Sequence, residues 1–555
     1  MAFIFLFSLM LAACSSTPTT ISMDTETPDL PDPPMTKPSL PPPSPVILNK
    51  TDIPVSVSNS IYLSAELPDG FVEKLHLPAD WKLADNVTSA DYSILINHKD
   101  SRITNNQSIS TWVYVLVAPF PTIADSVLLD DFYTAWSEGN TQHLGFSNLF
   151  VSTNTFDVFQ TLWGEPDPTF VNIISTEDIQ SYAWESRDVL ALIPFEILNP
   201  QWKVLEINNQ NPLHKSFNPE LYPLSVQIEI RDNGTGSDQN ILSIPTINRD
   251  PDQLTTVILT GVTALVRATG IMMEREGLKY PGLDIRDWLR EADFTHINNE
   301  VPFAERCPSA FLQTNELKFC SKPEFIELLE DIGTDIVELS GDHFEDWGPE
   351  ATLYSLKLYE ERGWKTYGGG ESLADARQPV LIEHNGNKLA FLGCNAKLPG
   401  YARASDTHPG AAHCDWDWME DEILRLRNEG YLPIITFQHE EYYDYFAHPK
   451  LQIDFHQMAE SGAVIISGSQ AHQPHAMEFY DGAFLHYGLG NLFFDQYLEG
   501  IPMRQAFIDR HVFYNGRHVN TELLTIMFID FARPRPMTES ERIDLLDTIF
   551  TASSW

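Results

Sequence analysis

Asp335-Ile336-Val337-Glu338-Leu339-Ser340-Gly341-Asp342-His343 runs from a β-branched strand straight into Ser, Gly, Asp and His, with Asp346 and Gly348 close behind. The design recurs in the same half of the chain. Thr255-Thr256-Val257-Ile258-Leu259 precedes Thr260-Gly261, and Phe294-Thr295-His296-Ile297 precedes Asn298-Asn299-Glu300. Further on, Ile434-Ile435-Thr436-Phe437 precedes Gln438-His439-Glu440-Glu441, and Ala463-Val464-Ile465-Ile466 precedes Gly468-Ser469-Gln470-Ala471-His472. Short apolar runs bounded by polar residues read as buried strands. In open α/β sheets ligands gather beyond the carboxyl ends of strands, so these ends predict one polar rim and a site on it.

Helical spacing separates the strands. Asp284 is placed to cap a helix carrying Ile285, Trp288, Leu289 and Ala292, and Pro349 opens another that stops near Gly363. Asn385-Gly386 and Asp481-Gly482, each between apolar runs, signal tight antiparallel hairpins. The region from 252 to 535 is therefore α/β with mixed sheets. Residues 536–555 form a C-terminal tail with a helical pattern at Ile543, Leu546 and Ile549.

Upstream, residues 46–248 read as a smaller mixed α/β domain. Trp112 to Val117 is strand-like, Leu128 to Trp136 has helical spacing, and Val189 to Phe195 is followed by Trp202 to Leu205 and Tyr222-Pro223-Leu224. That order faintly resembles the closing part of extracellular solute-binding proteins of the phosphate-binding type; the resemblance brings no ligand residue with it. Turn-rich breaks at Asp232 to Asp238 and Ile247 to Asp252 set the boundary between the regions.

The start of the chain reads as an export address. Phe3 to Ala13 is almost wholly apolar and ends Leu11-Ala12-Ala13-Cys14, the pattern of a lipoprotein signal peptide over 1–13 with lipid on Cys14. It lacks a basic segment at its start. Residues 14–45 follow as a tether with nine prolines between Pro28 and Pro45, a composition unable to bury enough apolar surface to offset its ordering entropy. The expected location is extracytoplasmic, lipid-anchored at the cell membrane.

With 555 residues, more than one domain is expected. Thirty-five Lys plus Arg against 78 Asp plus Glu leaves a net charge of −43, which repels phosphate backbones and argues against nucleic acid as a partner. Beyond Cys14 the cysteines are Cys307, Cys320, Cys394 and Cys414. An even number in an exported chain allows two disulfides, with sequence-near pairing or free buried thiols as the alternatives. A zinc site built on these cysteines is disfavoured because close Cys-x₂₋₄-Cys spacing is missing.

Histidines and carboxylates at separate strand ends suit a divalent ion such as Mn, Fe or Zn. Four stretches carry a family resemblance. Gly341-Asp342-His343-Phe344-Glu345-Asp346-Trp347-Gly348 matches an N-N-H-x-x-D-x-G block, and Gly488 to Gln496 matches S-L-G-N-F-x-F-D-Q. Tyr367 to Pro379 matches G-x-G…E-A-R-x-P, and Ala471-His472-Gln473-Pro474-His475 matches G-H-x-P-H. On these motifs Thr256 to Gln496 resembles the CapA family of bacterial capsule and poly-γ-glutamate synthesis proteins, whose domain is related to calcineurin-like metallophosphoesterases. The resemblance implies a metallophosphoesterase-type α/β sandwich of two mixed sheets flanked by helices. It implies metal ligands at Glu300, Asp342, His439, His472 and His475, and His343 as donor or general acid oriented by Asp346. The implied partner is an extracellular anionic polymer or its synthesis complex.

The departures matter. Gly-Asp at the first strand end is here Gly261-Val262, and the family's H-W-G-x-E is here His439-Glu440-Glu441-Tyr442-Tyr443. These changes reduce the expected metal content to one ion at most. The sequence supports an accessory protein with a degenerate site, and as the alternative a metal-dependent hydrolase or transferase acting on phosphoester or amide bonds. Arg403 and the Arg425-Leu426-Arg427 pair are the candidate basic contacts for a polymer.

Overall fold

The computed structural model describes residues 59–97, 107–233, 242–312, 317–397, 400–469 and 471–555. The proposed signal peptide, Cys14 and the tether lie outside the described residues.

Alternation along the central strands sets the layers. In the strand Leu254–Thr260, Val257 and Leu259 enter one buried cluster while Ile258 enters another. In Leu432–Gln438 and Ile465–Gly468, Ile434 and Ile465 join Val257 and Leu259, while Ile435 and Ile466 face the opposite way. Side chains on a strand alternate with period two, so each strand feeds two different packing layers. The shared cluster lies between two sheets. One has the order Lys365–Tyr367, Ile336–Glu338, Phe294–Asn299, Leu254–Thr260, Gln505–Tyr514, Arg517–Ile529 and Arg533–Pro536. The other runs Val380–His384, Asn387–Asn395, Leu432–Gln438, Ile465–Gly468, Ala483–His486 and Met477–Tyr480.

Helices close the outer faces. Leu289, Leu328, Leu329 and Leu358 cover the first sheet, and Met419, Ile423, Leu426 and Phe455 cover the second. This is the expected α/β sandwich of two mixed sheets flanked by helices. Both hairpins form as predicted, with Asn385 at φ 48° before Gly386 at φ 74°, and Asp481 at φ 47° before Gly482 at φ 79°. The cap at Asp284 does not form. The helix spans Arg286–Glu291 after Ile285, and the Asp284 carboxylate instead takes two hydrogen bonds of 2.6 Å from the Arg533 guanidinium. A bidentate ion pair outcompetes a single cap bond.

Both disulfides are sequence-near, Cys307–Cys320 and Cys394–Cys414. Loops of these separations, 13 and 20 residues, stabilise by about 3 kcal/mol each in the chain-entropy account.

Strands before residue 233 form sheets of their own, the largest having Gln107–Pro119 between Ser225–Asp232 and Val189–Pro194. Their core nevertheless includes Val512, Tyr514 and Val519 from the later half. Phe195 packs edge-on against Tyr514 at 5.0 Å, and Asn520 Nδ2 donates to the Trp202 carbonyl at 2.6 Å. Residues Ser58–Trp555 accordingly form one compact unit. The tail helix Glu539–Ala552 starts with a capping box of Thr538 and Glu541 and buries Leu545, Leu546, Ile549 and Phe550. No helix among the described residues is long and apolar enough to cross a membrane.

Candidate functional site

The carboxyl ends of the central strands do form a rim. Glu300 follows Phe294–Asn299 directly, and Asp342 and His343 lie just beyond Ile336–Glu338. One ligand atom from each of Glu300, Asp342 and His343 lies within 4.8 Å of the others. Gly341 makes that approach feasible: a Cβ there would stand 2.7 Å from the Glu300 carbonyl oxygen and 2.9 Å from its Cα.

His343 is fixed by Asp346. Its Nδ1–H donates to Asp346 Oδ2 at 2.6 Å, and the same oxygen accepts the Phe319 amide at 2.9 Å. Nε2 is left for the site, the orientation a carboxylate-backed imidazole takes toward a metal. Burial pushes the imidazole down, but the Asp346 hydrogen bond and the Glu300, Asp346 and Asp342 charges prevail and bring it up to about 9. Asp342 is also buried, which favours its neutral form; Lys397, His343 and hydrogen bonds to Glu300 and Gln438 outweigh this and hold it below the usual carboxyl value. Gln438 Nε2 donates to Asp342 Oδ1 at 2.5 Å.

Lys397, which the strand-end reading passed over, sits among the acids. Its Nζ lies 3.4 Å from Asp342 Oδ2 and is hydrogen-bonded to Glu441. Burial lowers its proton affinity, yet Asp342 and Glu441 raise it above the ordinary lysine value. Glu441 in turn falls to about 2: burial opposes ionisation, while His472 and Lys397 favour it. Since burial pushes His472 itself down, we attribute the ionised Glu441 to Lys397. The signal for Lys397 was present, because the apolar Leu389 to Cys394 run also ends in polar Asn395 and Lys397.

The three remaining predicted ligands differ in orientation. His472 Nδ1–H donates to Asn491 Oδ1 at 2.8 Å, which leaves Nε2 as a lone-pair nitrogen, and both Glu441 and Asp342 act on it electrostatically. His439 has both ring nitrogens engaged: Nε2–H donates to Asp454 at 2.7 Å and Nδ1 accepts the Glu440 amide at 2.8 Å. His475 Nε2–H donates to the Tyr442 carbonyl at 3.2 Å, and burial lowers its pKa to about 4. The structure thus groups His343, rather than His439, with Glu300 and Asp342. At the first strand end Val262 is fully buried with Ala264, Val266, Val301, Phe319 and Phe494, so an apolar cluster occupies that corner.

Two carboxylates and an imidazole are a donor set for Mn, Fe or Zn, and Glu300, Asp342 and His343 fit one such ion. Lys397 places a fixed positive charge against the same group.

Residues 256–496 match the family described as bacterial capsule synthesis protein PGA_cap. This segment is similar to the CapA proteins of capsule synthesis. Capsule biosynthesis protein CapA of Bacillus anthracis is 23% identical over 303 residues, covering 53% of this chain and 72% of that protein. PGA biosynthesis protein CapA of Bacillus subtilis (strain 168) is 23% identical over 260 residues, 45% of this chain and 66% of that one. Among solved structures, a phosphatase from Mycoplasma pneumoniae aligns at 11% identity and a TM-score of 0.33, covering 52% of this chain and 96% of its own. The matched segment contains every residue of the rim described above, from Glu300 to His472.

Proposed function

We propose that this protein serves the synthesis, export or anchoring of an extracellular anionic polymer of the capsule or poly-γ-glutamate type, as a lipid-anchored accessory protein. Its rim is a degenerate site for one divalent ion at most. The observation that carries the reading is Lys397: a permanent cation paired with Asp342 and Glu441 takes up negative charge that a second ion would need.

A chain with net charge −43 contacts a polyanion only through a local basic surface. Arg425 is consumed by Glu422 and Glu429, and Arg427 donates to the Tyr431 carbonyl. Exposed Arg403 instead lines a cleft of about 490 Å³ with Arg377, His413 and Asp415. Burial, then the Arg403 charge, lowers the pKa of His413. This cleft favours polymer contact.

The decisive experiment uses the purified whole chain. Poly-γ-glutamate should bind, Arg403→Glu should weaken binding at least about tenfold, and a generic phosphodiester should not turn over with or without Mn. Unchanged binding by the Arg403 variant defeats the accessory reading.

The second reading, a metal-dependent hydrolase or transferase, is favoured by the 2.6 Å His343–Asp346 pair, a general acid of suitable form. In that reading an ion held by Glu300 and Asp342 would polarise a phosphoryl or acyl oxygen and lower the pKa of bound water toward about 7, with His343 Nε2–H left to donate the proton. Mn-dependent turnover lost in Glu300→Gln would establish it.

A further inference from the structure

A second cavity, of about 430 Å³, lies between the early strand Trp202–Val204, the late strand Arg517–Ile529 and the tail helix. Its size is within the range of about 300–1,000 Å³ usual for small-molecule sites, which favour junctions between folded regions. None of its lining residues belongs to the rim.

Two sets of charges line it. In the first, Lys203 Nζ and Arg542 Nη2 both reach Asp125 Oδ1, at 2.8 and 2.7 Å, so two cations share one carboxylate. Both are further tied to the backbone, Lys203 to the Thr122 carbonyl at 2.7 Å and Arg542 to the Ile123 carbonyl at 3.1 Å. In the second set, Arg510 donates to Glu522 at 3.3 Å and to Glu291 at 3.0 Å, and His214 meets Glu522 at 3.0 Å. Glu206 adds another carboxylate here.

Two groups are left over. The Glu206 carboxylate has no hydrogen-bond partner among the described residues, and His214, Glu522 and Asp125 act on it only through space. Arg510 is 5% exposed, yet its Nε–H is buried without an acceptor. That nitrogen is closed even to water and belongs to the ion network, so Glu206 is the group a ligand in the cavity meets. The Glu206 carboxylate lacks a hydrogen-bond donor among the described residues. The first set carries one surplus positive charge, the second a surplus of negative charge.

We propose that this cavity binds a small zwitterion of the α-amino-acid class. Its ammonium meets Glu206, and its carboxylate is drawn by the surplus positive charge of Lys203 and Arg542 around Asp125, whose neighbour Ser126 pairs with Glu206 across the strands. A bare anion leaves Glu206 unpaired, and a bare amine leaves the surplus positive charge of Lys203 and Arg542 unmet. The site is independent of the polymer reading, because the Arg403 cleft and the rim use other residues.

Calorimetry on the whole chain tests it. The probes are L-alanine, L-leucine, L-glutamate, L-lysine and L-alanyl-L-alanine, with acetate and ethylamine as single-charge controls. At least one zwitterion is expected to saturate at one site, with acetate and ethylamine at least about tenfold weaker. Glu206→Gln should weaken that binding at least about tenfold and leave the unliganded melting temperature unchanged, since the carboxylate accepts no bond that folding needs. Ser126→Trp, at an exposed position of the lining, should block entry in a folded protein. Heat from none of the zwitterions identifies the charges as a structural ion network and overturns the proposal. Equal binding of acetate, or full binding by Glu206→Gln or Ser126→Trp, overturns it as well.

Discussion

The strand ends of the two sheets make opposite use of similar residues. On the first sheet, Glu300, Asp342 and His343 turn toward one another, and Asp346 backs the imidazole so that its second nitrogen faces the site. On the second sheet, His439 and His475 turn into the protein, the former spending its ring on Asp454 and the Glu440 amide, the latter on the Tyr442 carbonyl. A histidine at a strand end becomes a ligand only if its backing partner lies behind it. Where the partner lies deeper, the same residue becomes part of the packing.

The strongest way to break this contrast is Asp342→Asn. Loss of an outer partner of a metal ligand costs about 10–100-fold in affinity, so loss of a ligand should weaken Mn binding by about a hundredfold or more. Calorimetric titration of the whole chain with Mn checks this, and an unchanged affinity removes the first-sheet cluster as a site. Lys397→Met should move the other way. Removing a like charge 3.4 Å from Asp342 is expected to tighten Mn binding about tenfold, read in the same titration.

His439→Ala sharpens the contrast from the other side. Asp454 loses its partner in a buried setting, so stability should fall by about 1–3 kcal/mol in denaturant melts while Mn affinity stays as it was. The smallest effect concerns acid sensitivity. His475 has its folded pKa lowered to about 4 from the usual value near 6.5, so the unfolded chain binds more protons between these values. Stability is lost as pH falls through that window, by up to about 1.4 kcal/mol per unit. His475→Gln should flatten the slope of melting temperature against pH there, and an unaltered slope contradicts the assignment.

Much of the fold is legible in the sequence because strand alternation and turn chemistry are local. Val257, Ile258 and Leu259 already show a strand buried on both faces, and Asn385-Gly386 and Asp481-Gly482 adopt the left-handed backbone their side chains allow. Asp284 caps no helix because Arg533, distant in sequence, offers a stronger partner than a helix amide. The rim was legible as a place but not as a set of orientations. Position 439 shows a histidine beyond a strand, while its direction depends on Asp454 in the helix Pro449–Glu460, which strand spacing does not encode. Lys397 escaped for a related reason: a lysine after a strand normally reaches solvent, and only the convergence of Asp342 and Glu441 retains it.

Val512, Tyr514 and Val519 complete the interior of a region whose other members all precede residue 255. During synthesis, the early sheets leave the ribosome with part of their filling still untranslated. The first half therefore waits, incompletely packed, for more than two hundred and fifty residues of later chain, and its apolar surface needs shielding until then.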